Sequence, residues 1–305
     1  MHIANPIYDT VFKYMMSDSK VAKALLSAII GEKIVDLDLS STEYVLKKNI
    51  SKKKLNRTLE QLTVCRFDFA AKIETENGKY KTVIIELQKS KLATDIMRFR
   101  RYLGEMYQSP ENTSNEERTQ ARQIYCIYFL NYEVGLSENP IIKVDYTAED
   151  LATGEELPNK SEFIESLNHK SWIVQVRRLK EKRRNELENL LSIFDQSNLT
   201  NDQHILTIDE SLFPEKYRII IRKLREAHES VEVRKQMIIE DELLSELVRR
   251  DEIIAKKEKE IEEKDQELTK QSQELTKKDQ ELTKQSKEIE ELHRQIKELQ
   301  TGKKL

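Results

Sequence analysis

An α/β domain with one mixed sheet flanked by helices, followed by a long helical tail, is the fold class this sequence predicts. Three observations carry that expectation. Apolar residues recur at helical spacing near the start and again after residue 90, while residues 62–88 and 123–134 read as strands. Beyond Pro214 there is no further proline and no glycine until Gly302, and helix formers dominate. From Ile254 to Ile296 an apolar residue returns at every seventh position.

In "NPIYDTVFKYMM", Asn5 is suited to cap a helix with Pro6 at its first position, and Ile7, Val11, Phe12 and Met15 share a face. Ser17 or Asp18 caps a second helix carrying Val21, Leu25, Ile29 and Ile30, with Gly31 just past its end. "IVDLDLSSTEYVLK" reads as a short strand and a loop, and an exposed lysine-rich stretch through Lys52, Lys53 and Lys54 follows. Two strands then span roughly 62–75 and 79–88 around Asn77-Gly78. "KLATDIMRFRRYLGEMYQ" has helical spacing through Leu92, Ile96, Phe99, Leu103 and Met106. "QIYCIYFLNYEV" is a continuous apolar run, the mark of a buried strand. "SWIVQVRRLK" is a further strand and "RNELENLLSIFDQ" an amphipathic helix.

In the tail, Ile254, Ile261, Leu268, Leu275, Leu282, Ile289 and Ile296 occupy heptad position a. Position d holds Lys257, Lys264, Gln271, Lys278 and Gln285, and turns apolar only at Leu292 and Leu299. The strict period predicts a left-handed coil and the polar d positions weaken it, so a homo-oligomer, dimer or trimer, is expected. A solvated lone helix is the alternative. The segment is also a tandem repeat, "QELTKQS", "QELTKKD", "QELTKQS". The expected organisation is an α/β domain over 1–200, a helical extension over 201–250 and a heptad tail over 251–305.

Charged residues make up 35% of the 305 and hydrophobic ones 38%, with the charge gathered in the last third. A net charge of −3 excludes a strongly cationic nucleic-acid binder and leaves DNA contact to local basic patches. Cys65 and Cys126 lie in apolar runs without zinc-ligand spacing, as core residues of a reduced, cytoplasmic protein do. The start has no signal-peptide block, and about 18 consecutive apolar residues occur nowhere, so no membrane partner is expected. No Gly-rich phosphate loop and no Ser-His-Asp or Cys-His arrangement is apparent, and His204 and His228 read as isolated surface residues.

Chemistry is concentrated in "RFDFAAKIETENGKYKTVIIELQKS". Strand alternation puts Ile84, Glu86 and Gln88 on one face and Val83, Ile85 and Leu87 on the other, while Asp68 goes with Arg66, Ala70 and Lys72. Whether the acids meet depends on the turn. A two-residue Asn77-Gly78 loop pairs Asp68 with Leu87 and sends the acids to opposite faces. A three-residue loop over Glu76, Asn77 and Gly78 pairs Thr75 with Lys79 and sets Asp68 across from Glu86, with Gly78 in the left-handed position. Both loops are open to this sequence. Two carboxylates about 5 Å apart repel unless a cation lies between them. Oxygen ligands of this kind suit Mg²⁺ or Mn²⁺. The ordinary alternative is a hairpin whose exposed acids pair with Arg66, Lys72 or Lys89.

These segments, in their order and spacing, resemble the PD-(D/E)XK nuclease superfamily, and most closely its transposase-like branch of recombination-promoting nucleases. "FDFAAKIETENGKYKTVIIELQ" is similar to that branch's Asp…Glu-x-Gln signature, "YDTVFKYMM" to its opening Asp-x-x-Phe-Lys segment, and "RFRRYLGEMY" to its Arg- and Tyr-bearing helix. The likeness spans roughly residues 5–240. It implies a restriction-endonuclease-like core and a Mg²⁺-dependent DNA endonuclease that promotes recombination. Asp68 and Glu86 become the metal ligands, Gln88 stands where the superfamily has lysine, and Asp9 supplies a further acid. Gln88 departs from the superfamily: it hydrogen-bonds a water but brings no positive charge, which leaves Lys13, Lys72 or Lys89 to compensate. Asp9 has an ordinary alternative as a first-turn acid with Lys13 as its partner one turn on.

Arg98 and Arg101 share a helix side for phosphate contact, or pair with Asp95 or Glu105, and Lys13 and Lys89 complete the DNA-binding set. Lys52 to Lys54 and "RRLKEKRR" ending at Arg184 are further basic patches. Two rival readings stand beside the nuclease. One is a nuclease-like module that binds DNA or a protein without cutting, oligomerised by its coil. The other is a coil-driven scaffold with an α/β head.

Overall fold

The computed structural model describes residues 1–39, 43–46, 63–66, 68–89, 95–108, 123–135, 137–157 and 161–302. Contacts divide the chain into two compact units, Met1–Leu244 and Ser245–Leu305. The first unit opens with β1 (His2–Ala4), α1 (Asp9–Met16), α2 (Ser19–Ile30), β2 (Ile34–Leu39), β3 (Glu43–Leu46) and β4 (Thr63–Arg66). Its middle holds β5 (Phe69–Thr75), β6 (Tyr80–Gln88), α3 (Asp95–Gln108), β7 (Gln123–Leu130), β8 (Ile141–Val144), β9 (Glu149–Asp150) and β10 (Glu155–Glu156). Then come α4 (Glu162–Ser166), β11 (His169–Gln175), α5 (Glu186–Leu191), β12 (Ile205–Thr207) and α6 (Arg218–Glu229), and α7 (Val231–Gly302) begins before the unit ends.

Six strands form a mixed sheet in the order β2-β5-β6-β7-β11-β8. β6, β7 and β11 run parallel, and the remaining neighbours pair antiparallel. β7 lies inside this sheet, which explains its unbroken apolar run: Ile124 to Ile127, Phe129 and Leu130 are all buried. Alternation along β6 feeds two cores. Val83, Ile85 and Leu87 join the large core shared with α1, α2 and α6, whereas Ile84 packs with Ile124, Cys126 and Met106 of α3. Phe12 of α1, Phe129 of β7 and Phe194 stack at the centre of the large core, with ring centroids 5.7 Å (Phe12–Phe129) and 4.5 Å (Phe129–Phe194) apart.

Two local expectations are corrected. The first helix starts at Asp9 rather than Pro6, and Asn5 does not cap it. Asn5 is buried, so its amide is satisfied where the tertiary fold offers partners: Nδ2 donates to Gln196 Oε1 and to the Gln203 carbonyl, both at 2.9 Å. The strand expected over 62–75 is divided. β4 pairs with β3 in a separate two-stranded sheet, while β5 enters the central sheet after a bend at Asp68. The second helix follows expectation, with the Asp18 carboxylate accepting from the Lys20 and Val21 amides and Gly31 ending it at φ +79°.

The segment expected as an extension contributes to this unit. β12 pairs with β1, and Ile220, Ile221 and Leu224 of α6 with Val233 and Met237 of α7 join the large core. In the second unit the helix is continuous to Gly302, and the heptad a residues from Ile254 to Ile296 are 49–68% exposed. Among the described residues, no helix is long and apolar enough to cross a membrane.

Candidate functional site

The turn at Asn77-Gly78 takes the three-residue form. The Thr75 amide donates to the Lys79 carbonyl at 3.1 Å, the Gly78 amide donates to the Thr75 carbonyl at 2.8 Å, and Gly78 adopts φ +69°. A left-handed residue is what such a loop requires, and glycine adopts it at least cost. The pairing runs from Glu74 opposite Tyr80 to Phe69 opposite Ile85, where the ladder ends one residue short of Asp68 and Glu86. Asp68 is itself a bend residue, and its Oδ2 accepts the Leu87 amide at 2.6 Å. A side chain thus closes the end of this ladder, which ties Asp68 to the strand that carries Glu86 and Gln88.

Glu86 and Gln88 are 4% and 6% exposed and lie on the face shared with Ile84. Glu86 neighbours Tyr128 across the parallel β6–β7 pair. Burial pushes the Cys126 thiol up to about 12, with Glu86 adding to the rise and a hydrogen bond with Tyr128 opposing it. Burial likewise raises Tyr128 well above the ordinary phenol value. Cys126 is therefore a neutral core thiol, as the sequence suggests. A carboxylate in such surroundings persists only with hydrogen bonds, a cation or a proton to compensate its burial.

The opposite side of the C-terminal end of β6 carries a second polar cluster. Lys89 donates to Asp241 Oδ1 of α7 at 2.7 Å, and its ammonium sits 3.3 Å from the Tyr8 ring centroid. Asp241 Oδ2 also accepts from Tyr8 Oη at 3.0 Å and Gln203 Nε2 at 2.8 Å, and lies 2.9 Å from His204 Nε2. Burial alone raises the Asp241 pKa, but the bonds from Lys89, His204 and Tyr8 outweigh it and hold the group below the ordinary carboxylate value. Next to it, Glu240 caps α1 by accepting the Asp9 and Thr10 amides at 3.1 and 3.3 Å. Burial raises Glu240 against the pull of Lys89 and those two amides.

These partners account for several residues singled out from the sequence. Asp9 pairs with Lys13 at 2.7 Å, as a first-turn acid and a cation one turn on do. Lys89 is engaged by Asp241. His204 is not an isolated surface residue, because Asp202, Asp241 and the Tyr8 ring all contact it. In "RRLKEKRR", Arg178 pairs with Glu133 and Glu138, Arg183 with Asp195, and Arg184 with the buried Glu188. Three of its arginines therefore brace the fold. Arg101 is exposed on α3, the Arg98 side chain lies outside the described residues, and so do Lys52, Lys53 and Lys54. Glu240, Asp241 and Tyr8 carried no local signal: two adjacent acids in "MIIEDELL" look like any solvated helix turn.

Among the described residues, no group of three or more His, Cys, Asp or Glu could hold a metal ion. What these segments offer is two carboxylates, Asp68 just before β5 and Glu86 in β6, with the Gln88 amide two residues on. Such a set is too small to enclose an ion. It fits a hard cation that keeps several waters, as Mg²⁺ does, better than zinc with its four protein ligands. Comparison of the chain with protein-family models, curated proteins and solved structures gave no match.

Proposed function

We propose that this protein is a Mg²⁺-dependent DNA endonuclease with a restriction-endonuclease-like core, related to the recombination-promoting, transposase-like nucleases. The observation that supports this reading is the three-residue turn and the β5–β6 register, whose last pair, Phe69 with Ile85, leaves Asp68 and Glu86 next in line on the two chains. Asp68 and Glu86 would hold the cation, which supplies a polarised phosphodiester and a bound water of lowered pKa. Gln88, two residues beyond Glu86 on the same face, orients the attacking water through its amide oxygen, and its neutrality makes cleavage slower than a lysine would. Asp68, tied to the Leu87 amide, keeps its carboxylate in place against β6. DNA phosphates are met by exposed cations such as Arg101. Copies of the chain associate through the heptad tail.

The test is nicking of supercoiled plasmid by purified protein with Mg²⁺, beside Asp68→Ala and Glu86→Ala. Loss of cutting in both variants, with DNA binding retained, is the expected result. Equal cutting in the variants, or cutting in the presence of a chelator, removes the assignment. The burial of Glu86 and the neutral Gln88 favour a second reading, a nuclease-like module that binds DNA without cutting it. Metal-independent binding by wild type and Asp68→Ala alike, with no cutting by either, selects that reading.

A further inference from the structure

We infer that the tail pairs with a second copy of itself as a parallel, in-register two-helix coil, in which the lysines at d are met by carboxylates at e of the partner. This rests on the self-association proposed above and gives it an orientation and a seam chemistry. The a residues from Ile254 to Ile296 form one exposed apolar stripe.

The polar positions beside that stripe vary together. Lys257, Lys264 and Lys278 at d are followed at e by Glu258, Asp265 and Asp279. Where d is Gln271 or Gln285, the next residue is Ser272 or Ser286. Adjacent residues on one helix do not face each other, so this match has no use within a lone helix. Nor do the e acids have a cation of their own. Three and four residues to either side of Glu258, Asp265 and Asp279 stand only Ile, Leu, Ala, Thr and Glu. Among the described residues, no ion pair of this chain engages these acids or Lys257, Lys264 and Lys278.

Across a parallel pair, a d side chain packs into a hole that includes the partner's e residue. Lysine then meets a carboxylate in three layers, and glutamine meets serine in two. The parallel arrangement also stacks a on a′ and d on d′, so apolar layers face apolar layers. In the antiparallel one, most of the Ile and Leu at a would instead face Lys or Gln at d of the partner. Leu292 and Leu299 set the register, because a slip of one heptad would put Leu292 against Gln285. A parallel pair tethers both globular units at the same end.

The experiment uses the full chain and reads assembly alone, so the cutting assay does not enter. Light scattering is expected to give two copies. Gln271→Cys, at a d layer, is expected to form a covalent dimer on oxidation that wild type does not form. Lys264→Glu with Lys278→Glu should weaken dimerisation about tenfold, and adding Asp265→Lys with Asp279→Lys should restore it. A monomer would overturn both the self-association and its geometry. A trimer, a dimer that Gln271→Cys does not trap, or a fourfold variant no tighter than the double one would overturn the parallel matched seam while leaving self-association intact.

Discussion

Replacing Asp241 with alanine removes one carboxylate shared by four groups, the Lys89 ammonium, the Tyr8 hydroxyl, the Gln203 amide and the His204 imidazole, while Lys89 keeps Glu240 at 3.8 Å and His204 keeps Asp202. Breaking a fully buried ion pair costs about 3–5 kcal/mol. Here the Asp241 and Lys89 side chains keep 24% and 15% exposure, so water recovers part of the loss and about 2–3 kcal/mol is expected. Urea unfolding of wild type, Asp241→Ala, Lys89→Ala and the double variant forms a cycle whose coupling should reach at least about 1 kcal/mol. A coupling under about 0.5 kcal/mol would refute the reasoning, because the pair would then act like an exposed surface bridge. The same variant bears on function. If Lys89 contacts phosphate once freed, Asp241→Ala should bind DNA more tightly, with a salt slope steeper by about one.

Gly78→Ala forces a left-handed backbone on a residue with a Cβ and should cost about 1–2 kcal/mol in thermal or urea unfolding. Its surroundings leave room for the methyl group, so a much larger loss would point to a clash that the structure lacks. Phe129→Ala empties a fully buried ring site between Phe12 and Phe194 and should cost about 3–5 kcal/mol. Glu240 predicts a pH effect. Its folded pKa is raised, so between the ordinary glutamate value and the raised one the native state holds more protons than the unfolded state, and stability falls as pH rises. Glu240→Gln removes that titration, so the melting temperature of the variant relative to wild type should climb with pH through this window. A difference independent of pH would show that Glu240 titrates alike in both states. Asp241 works in the opposite sense: its pKa is lowered, so its contribution is present above the ordinary aspartate value and disappears as pH falls through the folded one.

Much of the fold was legible because it is local. The 3.6-residue and 2-residue periods around Val21 to Ile30 and Val83 to Gln88 determine which face is apolar, and alternation alone placed Glu86 with Ile84 rather than with Ile85. The heptad at Ile254 to Ile296 and the Asp18 cap with Gly31 are likewise written in neighbouring residues. The Asn77-Gly78 stretch was ambiguous because two loop lengths suit the same dipeptide. Only the assembled sheet selected three residues, and with that choice Phe69 came opposite Ile85, the register under which Asp68 and Glu86 share a face. The cap of α1 could not be read at all: Asn5 was the local candidate, yet burial turned its amide to Gln196 and Gln203, and Glu240 from the far end of the unit took over the helix amides. Lys89 and the arginines of "RRLKEKRR" read as candidate phosphate contacts, and His204 as a surface residue, for the same reason. Spacing along the chain determines periodicity and turn propensity, whereas the partner of a charged side chain depends on long-range packing that brings distant carboxylates to it.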